Sequence, residues 1–407
     1  MKTRFLLKIL AVLCTALFIP SGSCLATPPV TAGVLPAVSS DLETLLTLVD
    51  SGREAGVASS RIPALMDFIY ASKPANIQYS AGDGFSTNSA YCEFDINKGF
   101  DEFLKMAFNP DVPSYLLMPA SVRLSHWKSV DGKKQPFPKL WQALPDLTDS
   151  LAIRGVEFIE NTPDLHSGAY FAYDLDKLHI LMKHAGRFVL LSISKQASIS
   201  QVGKKGVILG PDDDWTYLYS GQKGINRPGL GWVSSYMYDS YSVAVYAQLE
   251  KDRPGVRCAT FKWIDAGWSK INMVKKEHIH RGLLRYAKTF KEIIENPVLP
   301  GADEIAEIYA QIRSYTLSQL QDKFYSYLNT LEVRHRNDDS FPQKWFQQWF
   351  KSNRYLSRLK KEEMESVLMV EFMKHSLGRR SEIKMGDILG SVHPAPTLLT
   401  THLAYKK

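Results

Sequence analysis

The chain has 407 residues, of which 45% are hydrophobic, 11% aromatic and 22% charged, and its formal net charge is +7. An apolar fraction near the globular average excludes a disordered or collagen-like chain, and only 4 Cys in this length exclude a disulfide scaffold. At about 150 residues per domain, two or three domains are expected.

The first 26 residues have the three-part layout of a secretory signal peptide. An apolar stretch runs from position 9 to position 19, and small residues follow Pro20. This stretch is shorter than the roughly 20 residues of a membrane span. Three basic residues precede it, namely Lys2, Arg4 and Lys8. We therefore expect an exported protein, periplasmic or extracellular, after cleavage behind Ala26.

Two alternatives for the N-terminus stay open. Cleavage behind Ser23 would leave Cys24 as the first residue, available for lipidation as in a bacterial lipoprotein. In the second alternative, the first 26 residues are not cleaved and remain as an N-terminal membrane anchor. Removal of the signal leaves 49 − 3 = 46 basic against 42 acidic residues, a charge of +4. So small an excess does not indicate a nucleic-acid partner.

Cys92 and Cys258 are the cysteines that remain after cleavage behind Ala26. Each lies in a run with the alternation of a strand, YCEFDI and VRCATFKWI. An oxidising compartment permits a disulfide between them, provided that their Cα atoms come within about 4.4–6.8 Å. Two buried thiols are the alternative, and both interpretations stay open.

Residues 27–75 are predicted to form an N-terminal helical segment. The run DLETLLTLVDSG indicates a helix with Asp41 as its N-cap, and SSRIPALMDFIYAS indicates a second helix with Pro63 in its first turn. In both runs the apolar residues recur at helical spacing.

Residues 76–296 are predicted to form an α+β domain with a mostly antiparallel sheet. Short runs rich in Tyr, Val, Ile and Phe alternate with turns, and the helix Phe100–Phe108 interrupts them. KLHILMK and RFVLLSISK indicate a hairpin in which Gly186 supplies a positive φ. Within the first of these runs, His179 faces outward or into a cavity. The helix Glu277–Asn296 is expected to pack on the sheet.

Residues 297–390 are predicted to be wholly helical, with an irregular tail over 391–407. Asp303 is the predicted cap of one long helix, and Gly378 is the predicted C′ residue of the last helix. The three predicted helices are Asp303–Leu331, Gln343–Leu359 and Glu362–Leu377.

Several motifs with strong chemical meaning are missing from the sequence. It contains no phosphate-binding Gly-x-x-x-x-Gly-Lys-Ser/Thr loop, no dinucleotide fingerprint, no His-Glu-x-x-His, no Cys-x-x-Cys and no Gly-x-Ser-x-Gly. The sequence therefore predicts no cofactor and no metal site.

An aromatic, glycine-rich stretch after position 216 is the main candidate for ligand binding. Its amphipathic rings and adjacent cations suit sugars, aromatic ligands or lipid headgroups, although tyrosines also pack within ordinary sheets. The candidate residues are Tyr217, Tyr219, Lys223, Arg227, Trp232, Tyr236 and Tyr238. The leading hypothesis is a non-enzymatic envelope protein that binds an apolar or amphipathic ligand between its sheet and the Glu277–Asn296 helix.

Two other functions stay open. A hydrolase of an envelope or extracellular polymer would use Asp212, Asp214 or Asp239 as general acid and base. A structural or assembly protein would instead use its C-terminal helices against a partner or membrane. The aromatic and basic residues available for membrane contact are Trp345, Phe346, Trp349, Lys351 and Arg354.

Overall fold

The structure is a computed structural model that describes residues 32–33, 36–50, 59–72, 79–80, 88–165, 167–227, 231–338, 341–350 and 355–390. The predicted signal peptide, Cys24 and the predicted tail over 391–407 lie outside the described residues. All described residues belong to one compact unit. Within these ranges, no helix combines the length and the apolar character needed to cross a membrane.

A large sheet forms the centre of the fold. The strands are β1 (Ala32–Gly33), β2 (Tyr79–Ser80), β3 (Asn88–Ile96), β4 (Val122–Val130), β5 (Ser150–Asn161), β6 (Ala169–Tyr170), β7 (Ala172–His184), β8 (Arg187–Gln196), β9 (Lys204–Ile208), β10 (Tyr217–Lys223), β11 (Ile225–Arg227), β12 (Gly231–Val233), β13 (Ser235–Gln248), β14 (Val256–Trp268) and β15 (Ile271–Asn272).

The strand order of the large sheet is β1-β2-β3-β14-β13-β8-β7-β5-β4, and β15 also pairs with β14. Among the described strands of this sheet, β1 and β2 run parallel and the other pairs are antiparallel. Two smaller sheets have the orders β10-β9-β6 and β11-β12. The predicted hairpin is confirmed, since β7 and β8 join through Ala185 and Gly186 with φ of 49° and 77°.

Helices pack on this sheet, and those from α4 onward follow it in sequence, which confirms the α+β class. They are α1 (Pro36–Asp50), α2 (Pro63–Ala71), α3 (Phe100–Ala107), α4 (Lys276–Ile294), α5 (Ala302–Ser314), α6 (Leu317–His335), α7 (Gln343–Trp345), α8 (Lys361–Ser376) and α9 (Met385–Leu389).

One face of the sheet is closed by α1 and α2. Alternate residues of the central strands, such as Leu178, Ile193 and Val245, are fully buried there against the apolar stripes of the two helices. Asp41 is not the N-cap of α1, which begins at Pro36. Its carboxylate instead accepts the backbone N–H of Leu65 at 2.9 Å and so caps the neighbouring helix α2.

The opposite face carries α3 and α4, and both cysteines are buried there as free thiols. Cys92 stands opposite Thr260, and Cys258 stands opposite Phe94. The two cysteines are therefore diagonal neighbours, whose Cα atoms lie about 7–8 Å apart in a regular ladder. A disulfide requires a closer approach, so of the two alternatives the structure has the buried thiols and not the disulfide.

The C-terminal helices differ from the predicted pattern in two places. The single helix expected from Asp303 to Leu331 is divided into α5 and α6, because Thr316 and Gln319 form a capping box that starts a new helix. Where the predicted helix Gln343–Leu359 is described, it forms α7, a π turn over Phe346–Phe350 and a 3₁₀ turn over Leu356–Arg358, and residues 351–354 lie outside the described residues. By contrast, α8 agrees with its prediction, and Gly378 has the expected positive φ of 67°.

Buried polar contacts join the C-terminal helices to the strands. Lys374 on α8 has no exposed surface, and its ammonium donates to Glu371 at 2.7 Å and to Thr216 at 3.0 Å. Tyr355 donates its hydroxyl to the Tyr219 carbonyl of β10 at 2.8 Å. Both side chains are therefore paired at the contact between the helices and the small sheet.

Two glycine substitutions, one on β5 and one on α4, should have opposite effects on the stability of the protein. In Gly155→Ala, the new Cβ would overlap the Ser129 carbonyl oxygen and lie 2.8 Å from the Trp127 ring. We expect a loss of about 1–3 kcal/mol in the free energy of unfolding, measured by urea denaturation. In Gly282→Ala on α4, no atom lies within 4 Å of the new Cβ. That variant should gain up to about 1 kcal/mol, and a similar loss in both variants would contradict the packing described.

Candidate ligand-binding cavity

A cavity of about 1280 Å³ lies between the sheet and α4. Its floor is formed by the four central strands β7, β8, β13 and β14, and its walls come from α4 and from the segments around β4. Much of the lining is aromatic, including Phe108, Trp127, Phe137, Tyr246, Tyr286 and Phe290. This volume exceeds the roughly 300–1,000 Å³ of ordinary small-molecule sites.

One part of the cavity is lined by a small apolar cluster that includes Ile225 of β11. Phe171, Ile225, Met237 and Ala266 are buried together there, and all four line the cavity. The alternation of β13 explains why Met237 points inward together with Ser235. This part therefore offers an apolar surface without a charged side chain in the cluster.

Polar side chains cross the floor in one row, which we call the polar row: Lys177, Ser194, Ser242 and Lys262. They stand directly opposite one another on β7, β8, β13 and β14, because the register pairs Lys177 with Ser194, Ser194 with Ser242, and Ser242 with Lys262. Directly opposed residues share one face of a sheet. The two serine hydroxyls are hydrogen-bonded at 2.6 Å.

The two lysines of the polar row have different surroundings. Lys177 forms an ion pair of 2.6 Å with Glu157, and its ammonium lies 5.5 Å from the centre of the Trp127 ring. Lys262 is half-buried and has no hydrogen bond or ion pair within the described part of the chain. Burial and then the nearby Lys177 charge lower the pKa of Lys262 to about 8, against a smaller opposing effect of Asp239.

His179 lies in the next row of the floor, opposite Ser192. Its side chain is surrounded by the rings of Phe108, Trp127 and Phe137, with centroids 5.1–5.6 Å away. The residue is only 1% exposed, and among the described residues neither ring nitrogen has a hydrogen-bond partner. Burial, followed by the Lys177 charge, lowers the pKa of His179 well below its usual value, so the imidazole is neutral.

The predicted ligand-binding residues lie away from this cavity. Tyr217 and Tyr219 are buried on β10, where Tyr217 accepts a hydrogen bond from Arg285 at 2.9 Å and the Tyr219 ring lies 3.8 Å from the Arg123 guanidinium. Lys223 is exposed, and Trp232 is 53% exposed. None of these four lines the cavity.

Two further candidates of that set, Tyr236 and Tyr238, do not line the cavity either. Tyr236 and Tyr238 alternate with the inward-facing Ser235 and Met237, and their rings stack on each other with centroids 6.3 Å apart. The side chain of Arg227 lies outside the described residues. The ligand-facing interpretation of the aromatic stretch is therefore not supported by where its described side chains lie.

Two of the three carboxylates suggested for a hydrolase have partners of their own. Asp212 forms a bidentate ion pair with Arg285 of α4. Asp214 lies in the same short turn, whereas Asp239 accepts the Tyr241 hydroxyl at 2.6 Å and stands opposite Asp265 in the sheet. Within the described ranges, no three His, Cys, Asp or Glu side chains form a cluster suited to a metal ion.

The predicted membrane-contact residues are only partly described. Phe346 is 2% exposed, and its ring lies 5.0 Å from Phe341 and 4.5 Å from Phe350. It therefore belongs to the core. The side chains of Trp345 and Trp349, together with Lys351 and Arg354, lie outside the described residues.

Comparison with models of protein families, with curated proteins and with solved structures finds no match for this chain.

The unpartnered charge of Lys262 predicts that its removal stabilises the protein. A lysine whose pKa falls from 10.5 to about 8 on folding destabilises the folded state below pH 8, and this penalty disappears as the pH rises through 10.5. Lys262→Met keeps the apolar stem and should raise the free energy of unfolding at pH 7 by about 1–3 kcal/mol in urea denaturation.

The matched control for that variant is Lys177→Met, which leaves Glu157 in the cavity wall without its ion-pair partner. This second substitution should lower the free energy of unfolding at pH 7. Loss of stability in Lys262→Met at pH 7, or a gain that grows as the pH rises above 8, would contradict the account of Lys262.

Proposed function

We propose that this protein is an exported binding protein that encloses the apolar part of an amphipathic ligand in the cavity between its sheet and α4. The observation that carries the proposal is the cavity itself, about 1280 Å³ in volume and lined largely by aromatic and aliphatic side chains. A pocket with an apolar lining and a few convergent polar groups is the usual form of a small-molecule site.

The apolar part of the lining supports an occupant. The cavity is partly open to solvent, so this lining contacts water when no ligand is bound. Covering it with the apolar part of a ligand is favourable by about 25 cal/mol for each Å² of apolar surface removed from water.

Polar atoms on the floor support an amphipathic ligand rather than a purely apolar one. His179 has two buried nitrogens without partners, and a buried polar group without a hydrogen bond costs about 1–3 kcal/mol. Lys262 adds an unpartnered ammonium on the same floor. A ligand with one polar end and one apolar end would satisfy both kinds of surface.

The amino-terminal sequence supports the proposed export. Basic residues, an apolar stretch of eleven positions and small residues before Ala26 are the features of a signal peptide. A binding protein for apolar molecules has a clear use outside the cytoplasm, where such molecules must cross water between membranes. Contact with a membrane surface through Trp345, Trp349, Lys351 and Arg354 would suit ligand loading and is proposed as part of this role.

Filling the cavity should prevent binding of an apolar probe. Ala244 lies on the floor between Ser192 and Thr260, and Ala244→Phe would place a ring in the cavity. We expect the affinity for N-phenyl-1-naphthylamine, a neutral probe that fluoresces in apolar surroundings, to fall at least tenfold in a fluorescence titration.

Ala197→Phe is the control, because Ala197 is exposed just beyond β8. It should bind the probe as the unmodified protein does, and both variants should keep the same circular dichroism spectrum. Undiminished probe affinity in Ala244→Phe, or no probe binding by the unmodified protein, would refute the proposed function.

A further inference from the structure

We infer that the ligand of this cavity carries a single acidic group, a carboxylate, which Lys262 binds together with the hydroxyls of Ser194 and Ser242. The inference rests on the proposed function, because it specifies the polar end of a ligand whose apolar end fills the cavity. It is carried by the geometry of the polar row and by the balance of charge on the cavity floor.

The geometry brings a cation and two hydroxyls to one place. Ser242 stands directly opposite both Ser194 and Lys262, so the three side chains occupy neighbouring positions on the same face. Opposed residues in an antiparallel pair have Cβ atoms about 4.5–5.5 Å apart, within reach of one small anion. All three side chains line the cavity.

The hydroxyl pair has a donor to spare. The Ser194 and Ser242 oxygens are 2.6 Å apart, and one hydroxyl must donate to the other. The hydroxyl that accepts keeps its own hydrogen, which is then available to a carboxylate oxygen. Hydrogen bonds to a charged acceptor are about twice as strong as those between neutral groups, so an anion is the favoured recipient.

Counting charges on the floor leaves one positive charge without a partner. The four central strands present two cations to the cavity, Lys177 and Lys262. Glu157 neutralises Lys177 at 2.6 Å, and the deeply buried His179 is neutral. Lys262, with a pKa of about 8, is mostly protonated at pH 7. A monoanion balances this floor, whereas a dianion would leave a second negative charge without a partner on the floor.

The placement of Lys262 also fits a chain extending away from the polar row. Further along β14 on the same face lie Ile264 and Ala266, and Ala266 belongs to the apolar cluster with Ile225 and Met237. A carboxylate at the polar row would thus have an apolar channel beside it. This arrangement is the one expected of a site for a long-chain carboxylic acid.

Competition against the neutral probe N-phenyl-1-naphthylamine tests the inference at pH 7 with three ligands of equal chain length: dodecanoate, methyl dodecanoate and dodecyl phosphate. The unmodified protein should bind dodecanoate at least tenfold more tightly than the methyl ester, and dodecyl phosphate more weakly than dodecanoate. Lys262→Met should bind the acid and the ester equally, with ester affinity within about twofold of the unmodified protein.

Lys195→Met is the matched control. Lys195 neighbours Ser194 on β8 but points to the other face of the sheet, where it pairs with Asp50 at 2.7 Å. This variant should keep the preference for the acid. Ser242→Ala should reduce that preference by about threefold, since it removes one hydroxyl of the pair.

The outcomes separate the inference from the proposed function. Equal binding of acid and ester by the unmodified protein, an unchanged preference in Lys262→Met, or tighter binding of dodecyl phosphate than of dodecanoate would overturn the carboxylate site and leave the cavity as an apolar site. Failure of all three ligands and of the probe to bind would overturn both.

Discussion

The two-residue alternation of the central strands, combined with coverage of both faces of the sheet, determines how the rest of the molecule is built. Because β7, β8, β13 and β14 are covered on both sides, most positions in the middle of these strands are buried or half-buried. In the middle of the strands, one set of alternate residues is apolar and packs on α1 and α2. The other set contains Lys177, His179, Ser194 and Lys262, which a closely packed apolar layer could not accommodate. The cavity exists on the face where these residues point.

Two other buried cations in the described part of the chain have partners, which distinguishes them from Lys262. Lys374 is bonded to Glu371 and Thr216, and the fully buried Arg123 pairs with Glu160 and with Glu363 at 2.9 Å. These residues stabilise the joint between strands and helices. Lys262 also carries a positive charge, but no described side chain pairs with it. Sites that bind ligands often retain such unfavourable groups, because their stabilisation is supplied by the ligand.

Much of the fold could be predicted from local patterns, since those patterns reflect local physics. Gly186 in the β7–β8 turn, the apolar stripe of α4 and Gly378 after α8 all behave as their sequence context indicates. The division of α5 from α6 was also visible in principle, because Thr316 and Gln319 have the spacing of a capping box. The apolar stripe continues across that point and masks the boundary.

The site was harder to predict, because it depends on register between strands that are distant in sequence. Lys177 and Lys262 are separated by 85 positions and meet only through the pairing of four strands. The aromatic composition of the stretch from Tyr217 to Tyr238 predicts ligand binding. Tyr217 and Tyr219 instead pack within the small sheet. Neither Ser194 nor Ser242 has any local feature that marks it as part of a site. The signal available in the sequence was a polar residue within each central strand at an otherwise apolar position. For His179, this signal predicts a side chain that faces outward or into a cavity.

The same dependence on register explains the cysteines. Cys92 and Cys258 each lie on the strand face that the sequence predicts, but a shift of two residues between β3 and β14 makes them diagonal neighbours rather than a bonded pair. Periodicity specifies the face on which a residue lies, whereas pairing across strands specifies its neighbour.

The most direct test of the central claim is native mass spectrometry of the protein purified, without detergent, from the cells that make it. The account predicts a species heavier than the polypeptide by the mass of one amphipathic molecule, which is lost after denaturation and solvent extraction. A spectrum that contains only the bare polypeptide, from protein that is folded and was never exposed to detergent, would contradict the claim that this cavity is a ligand site.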